Sequence, residues 1–336
     1  MGDNILEIRD LSVSFASERG EVQAVREVSF DIPLGKTLAL LGESGCGKSV
    51  TARAVLGLVD PPGRILGGSI RLMLDNSLID LLGMKPEGEE LRRVRGKEVA
   101  MIFQEPRLSL TPVHTIGAQI VEVLRLHLGY DAAQARTEAI ELLRQVGIAA
   151  PERRMGEYPH QLSGGMCQRV MIAMALACHP RLLIADEPTT ALDVTIQAQV
   201  LEVLRDMQMR HSSAILLITH DFGIVAEMAD QVVVMYLGRV VESGPVAAIF
   251  DAPLHPYTQG LLASAPGPET PAGRPFPAIP GSVPDPIHAP AGCPFRGRCA
   301  EEHSACTQAP PLLNISAEHR VACWLHAGPN NGSKIH

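Results

Sequence analysis

The chain has 336 residues, 46% of them hydrophobic and 20% charged, which supplies one large core and a smaller second unit. Its net charge of −8 excludes a bulk electrostatic attraction to nucleic acid. No apolar run approaches the length that spans a bilayer, and Met1-Gly2-Asp3-Asn4 lacks the basic-then-apolar pattern of a secretion signal. Leu6 stands where a myristoylation motif needs Ser or Thr. A cytoplasmic location is therefore expected, and there the seven cysteines are not expected to form structural disulfides.

Taken in order, residues 5–15 and Val22 to Ile32 read as two strands broken at Gly20, an antiparallel hairpin. Phe15 lies in the first strand. It is either a platform on which an adenine stacks or a core aromatic, and the residues alone leave both readings open. Thr37 to Leu41 is a short apolar run followed by Gly42-Glu43-Ser44-Gly45-Cys46-Gly47-Lys48-Ser49, which matches the phosphate-binding pattern G-x-x-x-x-G-K-[ST], and then by a helix from Ser49 to Leu58. Strand, glycine loop and helix are the context the pattern requires. The glycines let successive N–H groups turn inward onto oxyanions, the helix N-terminus adds a favourable dipole, Lys48 brings a mobile cation, and the Ser49 hydroxyl can reach Mg²⁺. Gly42, Ser44, Gly45, Cys46, Gly47, Lys48, Ser49 and Val50 are the candidate phosphate-binding residues.

Ser69 to Leu74 predicts another strand, Gly88 to Arg95 a charged surface helix, and Val99 to Phe103 a buried strand that delivers Gln104 at its C-terminal end. From Ile116 to Ala177 the apolar period becomes helical, with Ile116, Ile120, Val123 and Leu124 on one stripe and Ala139, Leu142, Leu143 and Val146 on the next. Within this helical insert, Ser163 is a natural N-cap, and Gly164 and Gly165 expose N–H groups as a second anion site. Arg181 to Ala185 predicts a buried strand ending in Asp186 and Glu187; two adjacent carboxylates there are costly unless they bind something. Thr190 to Asp193 leads into a helix through Arg210. Ala214 to Thr219 is a strand ending at His220, and Val232 to Tyr236 with Arg239 to Glu242 form a hairpin around Gly238. Two short helices follow, near 246–250 and 257–264. After residue 265, half of the chain's 26 prolines fall in one stretch, which predicts an irregular segment with little core and a need for a staple.

This set resembles the nucleotide-binding subunits of ABC transporters over about residues 5–264. Gly42–Ser49 resembles Walker A, Gln104 the Q-loop, Leu162–Gln168 the LSGGQ-type motif, Leu182–Glu187 Walker B with its following Glu, Ala191–Asp193 the D-loop and His220 the switch histidine. The runs Met101-Ile102-Phe103-Gln104, Asp186-Glu187-Pro188-Thr189-Thr190-Ala191-Leu192-Asp193-Val194-Thr195 and His255-Pro256-Tyr257-Thr258, with the Pro-rich tail of spaced cysteines, narrow the resemblance to oligopeptide/dipeptide importer ATPases. Nickel and antibiotic-peptide importers share that subfamily.

The resemblance implies an α/β P-loop NTPase with an ABC-type core, an antiparallel β subdomain and a helical subdomain over about 112–178. Residues 1–264 would be the ATPase domain and 265–336 an irregular Cys-rich extension. It implies ATP bound in a sandwich of two nucleotide-binding subunits, with Phe15 on the adenine and Ser163, Gly164 and Gly165 on the partner's ATP. Ser49, Gln104 and Asp186 would position Mg²⁺, Glu187 would polarise the attacking water, and His220 would hold the γ-phosphate side. The implied partners are a second homologous ATPase subunit, two transmembrane permeases and an extracytoplasmic peptide-binding protein, with no nucleic acid, at the cytoplasmic face of the inner membrane. The other class considered is a soluble ABC ATPase acting on nucleic acid or ribosomes; the chain lacks the long coiled-coil insert or second ATPase domain those carry. Two departures stand out. Cys167 replaces a usually basic residue at the dimer interface, and Glu105-Pro106-Arg107-Leu108 replaces the more usual Asp-Pro-Met run.

Cys293, Cys299, Cys306 and Cys323 are separated by five, six and sixteen residues, without the close C-x₂₋₄-C pair of a structural zinc site. Four cytosolic thiolates on wider loops fit a [4Fe–4S] cluster better, with zinc as the alternative. Some peptide-importer ATPases carry such a cluster in this tail, which points the same way. A structural staple and a redox sensor are both open as its role. Arg296 and Arg298 are expected to offset the thiolate charge.

Overall fold

The computed structural model describes residues 4–190, 192–264 and 278–327. It divides into two compact units, one formed by Met1–Leu6, Ile32–Thr37 and Leu72–Ile218, the other by Glu7–Asp31, Leu38–Arg71 and Thr219–His336.

In the first unit the strands Val99–Ile102, Leu182–Asp186 and Ala214–Ile218 run parallel, with Leu182–Asp186 in the middle. Every residue of the three is buried, which is why they read as unbroken apolar runs rather than alternating ones. The expected helical insert is present as Ile116–Leu128, Ala132–Gln145 and Gly164–Leu176. Thr115 caps the first helix and Gly129, at φ 68°, ends it. Asp131 caps the second through a capping box with Gln134. Val194–His211 is capped by Asp193 and turns Val200, Leu201, Leu204 and Met207 inward.

In the second unit, Thr37–Leu41 continues from Leu38 in parallel register with Gln231–Tyr236. Gln231–Tyr236 pairs antiparallel with Arg239–Pro245 through Leu237 and Gly238, with a bulge between Val240 and Glu242. The hairpin of Asn4–Ser17 and Gly20–Pro33 forms as the alternation predicts, and Gly63–Leu74 lies beside Asn4–Ser17. The short helices are Val246–Asp251 and Pro256–Ala263.

The Pro-rich extension departs from its composition. Where little core was expected, Arg320–Val321 pairs antiparallel with Arg239–Pro245 at Glu242↔Val321, and Leu313–Asn314 pairs with Arg320–Val321. Cys293, Phe295 and Cys306 join Val225, Val232, Val234, Tyr236, Val241 and Tyr257 in one buried cluster. Proline excludes long elements but not short edge strands, and one buried ring contributes about 1.5–3 kcal/mol.

A buried carboxylate fixes the join. Glu242 is fully buried, and its Oε1 accepts from the Leu254 N–H at 2.8 Å and contacts His319 Nε2 at 2.8 Å, while its Oε2 accepts from the His255 N–H at 2.9 Å. Glu242→Ala leaves two backbone donors and an imidazole without their acceptor. Chemical denaturation is expected to show a loss of about 3–5 kcal/mol; a loss below about 1 kcal/mol would mean the site relaxes around the gap.

Candidate functional site

The glycine loop is held by close backbone approach on both sides. Gly42 sits at φ +146°, and a Cβ there would lie 2.2 Å from the Met235 carbonyl oxygen and 2.7 Å from Cys46 Sγ. Gly47 is the N-cap of the helix Lys48–Val55 at φ +102°, where a Cβ would lie 2.4 Å from the Ala24 carbonyl oxygen. Only glycine fits these two positions. Between them Ser44 and Gly45 form an exposed crest, Cys46 is buried, and Lys48, Ser49 and Val50 are half-buried. Burial pushes the Cys46 thiol pKa up, with nearby Lys48 opposing that shift. Lys48 Nζ donates to the carbonyls of Gly42 at 2.7 Å and Glu43 at 3.1 Å. The Thr51 hydroxyl donates to the Gly47 carbonyl at 2.9 Å, and the Gly238 N–H donates to the Cys46 carbonyl at 3.1 Å.

Phe15 in the same unit is half-buried, with its ring against Gly63. His220 is exposed, just before Asp221, which caps the helix Phe222–Met228.

In the other unit, Asp186 ends its strand 2% exposed. Glu187 takes a left-handed φ of 51°; its N–H donates to the Ile218 carbonyl at 2.8 Å and its Oε2 accepts from the Thr190 hydroxyl at 2.8 Å. A positive φ on a non-glycine residue is a strained conformation of the kind that gathers at working sites. Gln104 lies two residues past the end of its strand and is exposed. Ser163 Oγ accepts from the Met166 N–H at 3.3 Å, capping Gly164–Leu176 as expected. Gly165 lies against Leu192, and the fully buried Gln168 donates from Nε2 to the Pro188 carbonyl at 2.8 Å. The start of this helix is thereby tied to the segment that follows the paired carboxylates. Ala191 lies outside the described residues, as do the side chains of Arg107 and Leu108.

Cys167 is completely buried, and its Sγ donates to the Pro159 carbonyl at 3.4 Å. A basic side chain at that position would have to bring its charge into the interior, so the cysteine fits this packing.

Two residues from later in the chain, Tyr257 and Arg298, meet at Glu43. Its N–H donates to the Tyr257 hydroxyl at 2.8 Å, and its carboxylate receives Arg298 at 2.7 and 3.1 Å. Arg298 therefore does not serve the thiolates as expected: Glu43 takes its charge, which raises its pKa. Arg296 donates to the Ala291 carbonyl at 2.9 Å. The signal available was Glu43 itself, a carboxylate inside a loop built for anions.

Cys293, Cys306 and Cys323 are buried and Cys299 half-buried, all as free thiols. Burial raises the pKa of Cys293 and Cys299, and that of Cys323 to about 11, with each thiol also sensing others of the four. The backbone N–H groups of Phe295 and Arg296 turn toward the sulfur of Cys293, that of Glu301 toward Cys299 and that of Leu325 toward Cys323. Among the described residues, no three His, Cys, Asp or Glu side chains converge closely enough for one metal ion.

Residues 25–190 match the ABC transporter family, and residues 241–306 match the oligopeptide/dipeptide transporter C-terminal region. The oligopeptide transport ATP-binding protein OppD of Bacillus subtilis is 49% identical over 96% of this chain and 88% of its own length. The chain belongs to the ATP-binding proteins of the ABC peptide-transporter family. A putative peptide import ATP-binding protein of Brucella abortus is 48% identical over 95% of the chain and 94% of its own length. The dipeptide transport ATP-binding protein DppD of Bacillus subtilis is 46% identical over 96% and 95%. Among solved structures, the dimeric ATP-binding cassette MJ0796 bound to ADP and Pi superposes with a TM-score of 0.64 at 24% identity, covering 72% of this chain and 98% of that one. CbiO1 of Clostridium perfringens, part of the complex cbiONQ, superposes with a TM-score of 0.58 at 28% identity, covering 74% and 92%.

As an ABC-transporter ATPase the protein uses ATP and Mg²⁺. No described helix is long and apolar enough to cross a membrane. Gly47→Ala forces a Cβ into the Ala24 carbonyl, and ATP affinity is expected to fall by more than about tenfold, as for other strained left-handed sites. Equilibrium binding of a fluorescent ATP analogue measures it; unchanged affinity would mean the loop tolerates another backbone path.

Proposed function

We propose that this protein hydrolyses ATP to power the import of di- or oligopeptides through a pair of permease subunits. The observation that carries this reading is the match of residues 241–306 to the peptide-transporter C-terminal region, together with 46–49% identity to peptide-transport ATPases over nearly the whole chain. Its place would be the cytoplasmic face of the inner membrane, with a second homologous ATPase subunit and an extracytoplasmic peptide-binding protein completing the system. We keep residues 1–264 as the ATPase domain and 265–336 as its extension.

Phosphoryl transfer to water depends mainly on positioning and on charge stabilisation. The loop N–H groups and Lys48 would hold the β- and γ-phosphates, and Phe15 would face the adenine. Ser49, Gln104 and Asp186 would hold Mg²⁺, which supplies positive charge to the phosphate oxygens. Glu187, braced by Thr190 and by its own N–H, would take a proton from the attacking water, and His220 would hold the γ-phosphate side. Ser163, Gly164 and Gly165 would meet the nucleotide held by the partner ATPase. ATP closes such a pair because it adds contacts to both subunits, and hydrolysis withdraws them.

We infer that the four tail cysteines hold a [4Fe–4S] cluster. Three of the four are buried, backbone donors face three of the sulfurs, and a cluster spreads its ligands over four irons rather than gathering them on one ion. Cys293, Cys299, Cys306 and Cys323 would hold it, as a staple for the extension rather than a catalytic centre.

Glu187→Gln in the reconstituted complex is expected to bind ATP as before, lose on the order of 10²–10⁴ in hydrolysis and stop uptake of a labelled oligopeptide into vesicles. Near-normal turnover would remove Glu187 from the role of base. Protein purified without oxygen is expected to carry about four irons per chain and to absorb broadly in the visible range. Stoichiometric zinc without iron would replace the cluster with a single-metal staple.

A further inference from the structure

The extension reaches the glycine loop at Arg298. Arg298 is 5% exposed, and its three nitrogens converge on three partners. Nη1 and Nη2 grip both oxygens of Glu43 at 2.7 and 3.1 Å, Nη1 also donates to the Tyr236 hydroxyl at 3.2 Å, and Nε donates to the Pro280 carbonyl at 2.9 Å. The guanidinium carbon lies 5.8 Å from the Tyr236 ring centroid and 5.9 Å from that of Phe295. A forked pair of this kind fixes direction as well as charge.

Glu43 is an unexpected residue for its place. It sits inside the loop whose N–H groups and Lys48 are arranged for a polyanion, so a free carboxylate there opposes the ligand. Its backbone is fixed from two sides, by the Tyr257 hydroxyl on its N–H and by Lys48 Nζ on its carbonyl. Its side chain is turned away and matched by Arg298.

We propose that Arg298, supplied by the C-terminal extension, is a positioning residue for nucleotide binding: it neutralises and holds back the Glu43 carboxylate so that the loop accepts the triphosphate. The inference rests on the reading of Gly42–Ser49 as the phosphate site. It requires no metal in the cysteine cluster. Arg298 acts through Glu43 and touches no reacting atom.

A structural brace and a charge shield give different epistasis. In the assembled complex, Arg298→Gln is expected to raise the KM for ATP by about tenfold, the size of an ordinary coupling between contacting charged residues, with kcat within about twofold. The defect should shrink as salt screens the released carboxylate. Glu43→Gln removes that carboxylate without changing its shape, and should bring the double variant Glu43→Gln/Arg298→Gln back toward the wild-type KM. Arg298→Lys, which keeps the charge and loses the fork, should fall between wild type and Arg298→Gln. A double variant as poor as Arg298→Gln, or an unchanged KM with only lowered thermal stability, would overturn the proposal. ATP binding insensitive to Lys48→Ala would instead overturn the reading of the loop itself.

Discussion

Nearly everything in the second unit follows from the tight curl of Gly42–Gly47. The loop carries its amide groups inward only because two glycines adopt backbone angles closed to other residues, pressed against the carbonyls of Met235 and Ala24. Those carbonyls belong to strands that must be in register for the approach to be this close. The parallel pairing of Leu38–Leu41 with Gln231–Val234 and the buried cluster behind it provide that rigidity. Ligand binding here is a matter of preorganisation, with the cost met when the chain folds rather than when nucleotide arrives.

The strands that deliver Asp186 and the helices that follow Ser163 and Asp193 were legible in the sequence because each has a local cause. An unbroken apolar run marks a strand covered on both faces, a Ser or Asp before a periodic stretch marks a helix start, and a glycine pattern marks an anion cradle. Boundaries moved by a residue or two, as when the helix expected to run through Arg210 ended at His211. The family resemblance added roles to residues such as Gln104 and His220 that local physics leaves as polar strand ends.

What the sequence hid was non-local. Proline content argued against core in the extension, yet Val321 is fully buried in a short strand paired on both sides, and Phe295 sits among Tyr236, Tyr257 and His255. Nothing near Glu242 in the chain announces His319 as its partner. Arg298 looked like a counter-charge for neighbouring cysteines because they are adjacent in sequence, whereas its partner is Glu43. Charge pairs between distant positions leave no periodic signature, so composition gives only their presence and structure gives their pairing.

The separation between Glu43 and Arg298 also sets an order in time. The two residues are 255 positions apart, with the loop made early and its counter-charge late. At about 5–20 residues per second, the ribosome delivers the arginine roughly 13–50 s after the glutamate. Through that interval the nascent loop carries an unmatched negative charge beside its phosphate cradle. On the proposed role of Arg298, the loop would reach its full affinity for nucleotide only once that residue has joined the fold.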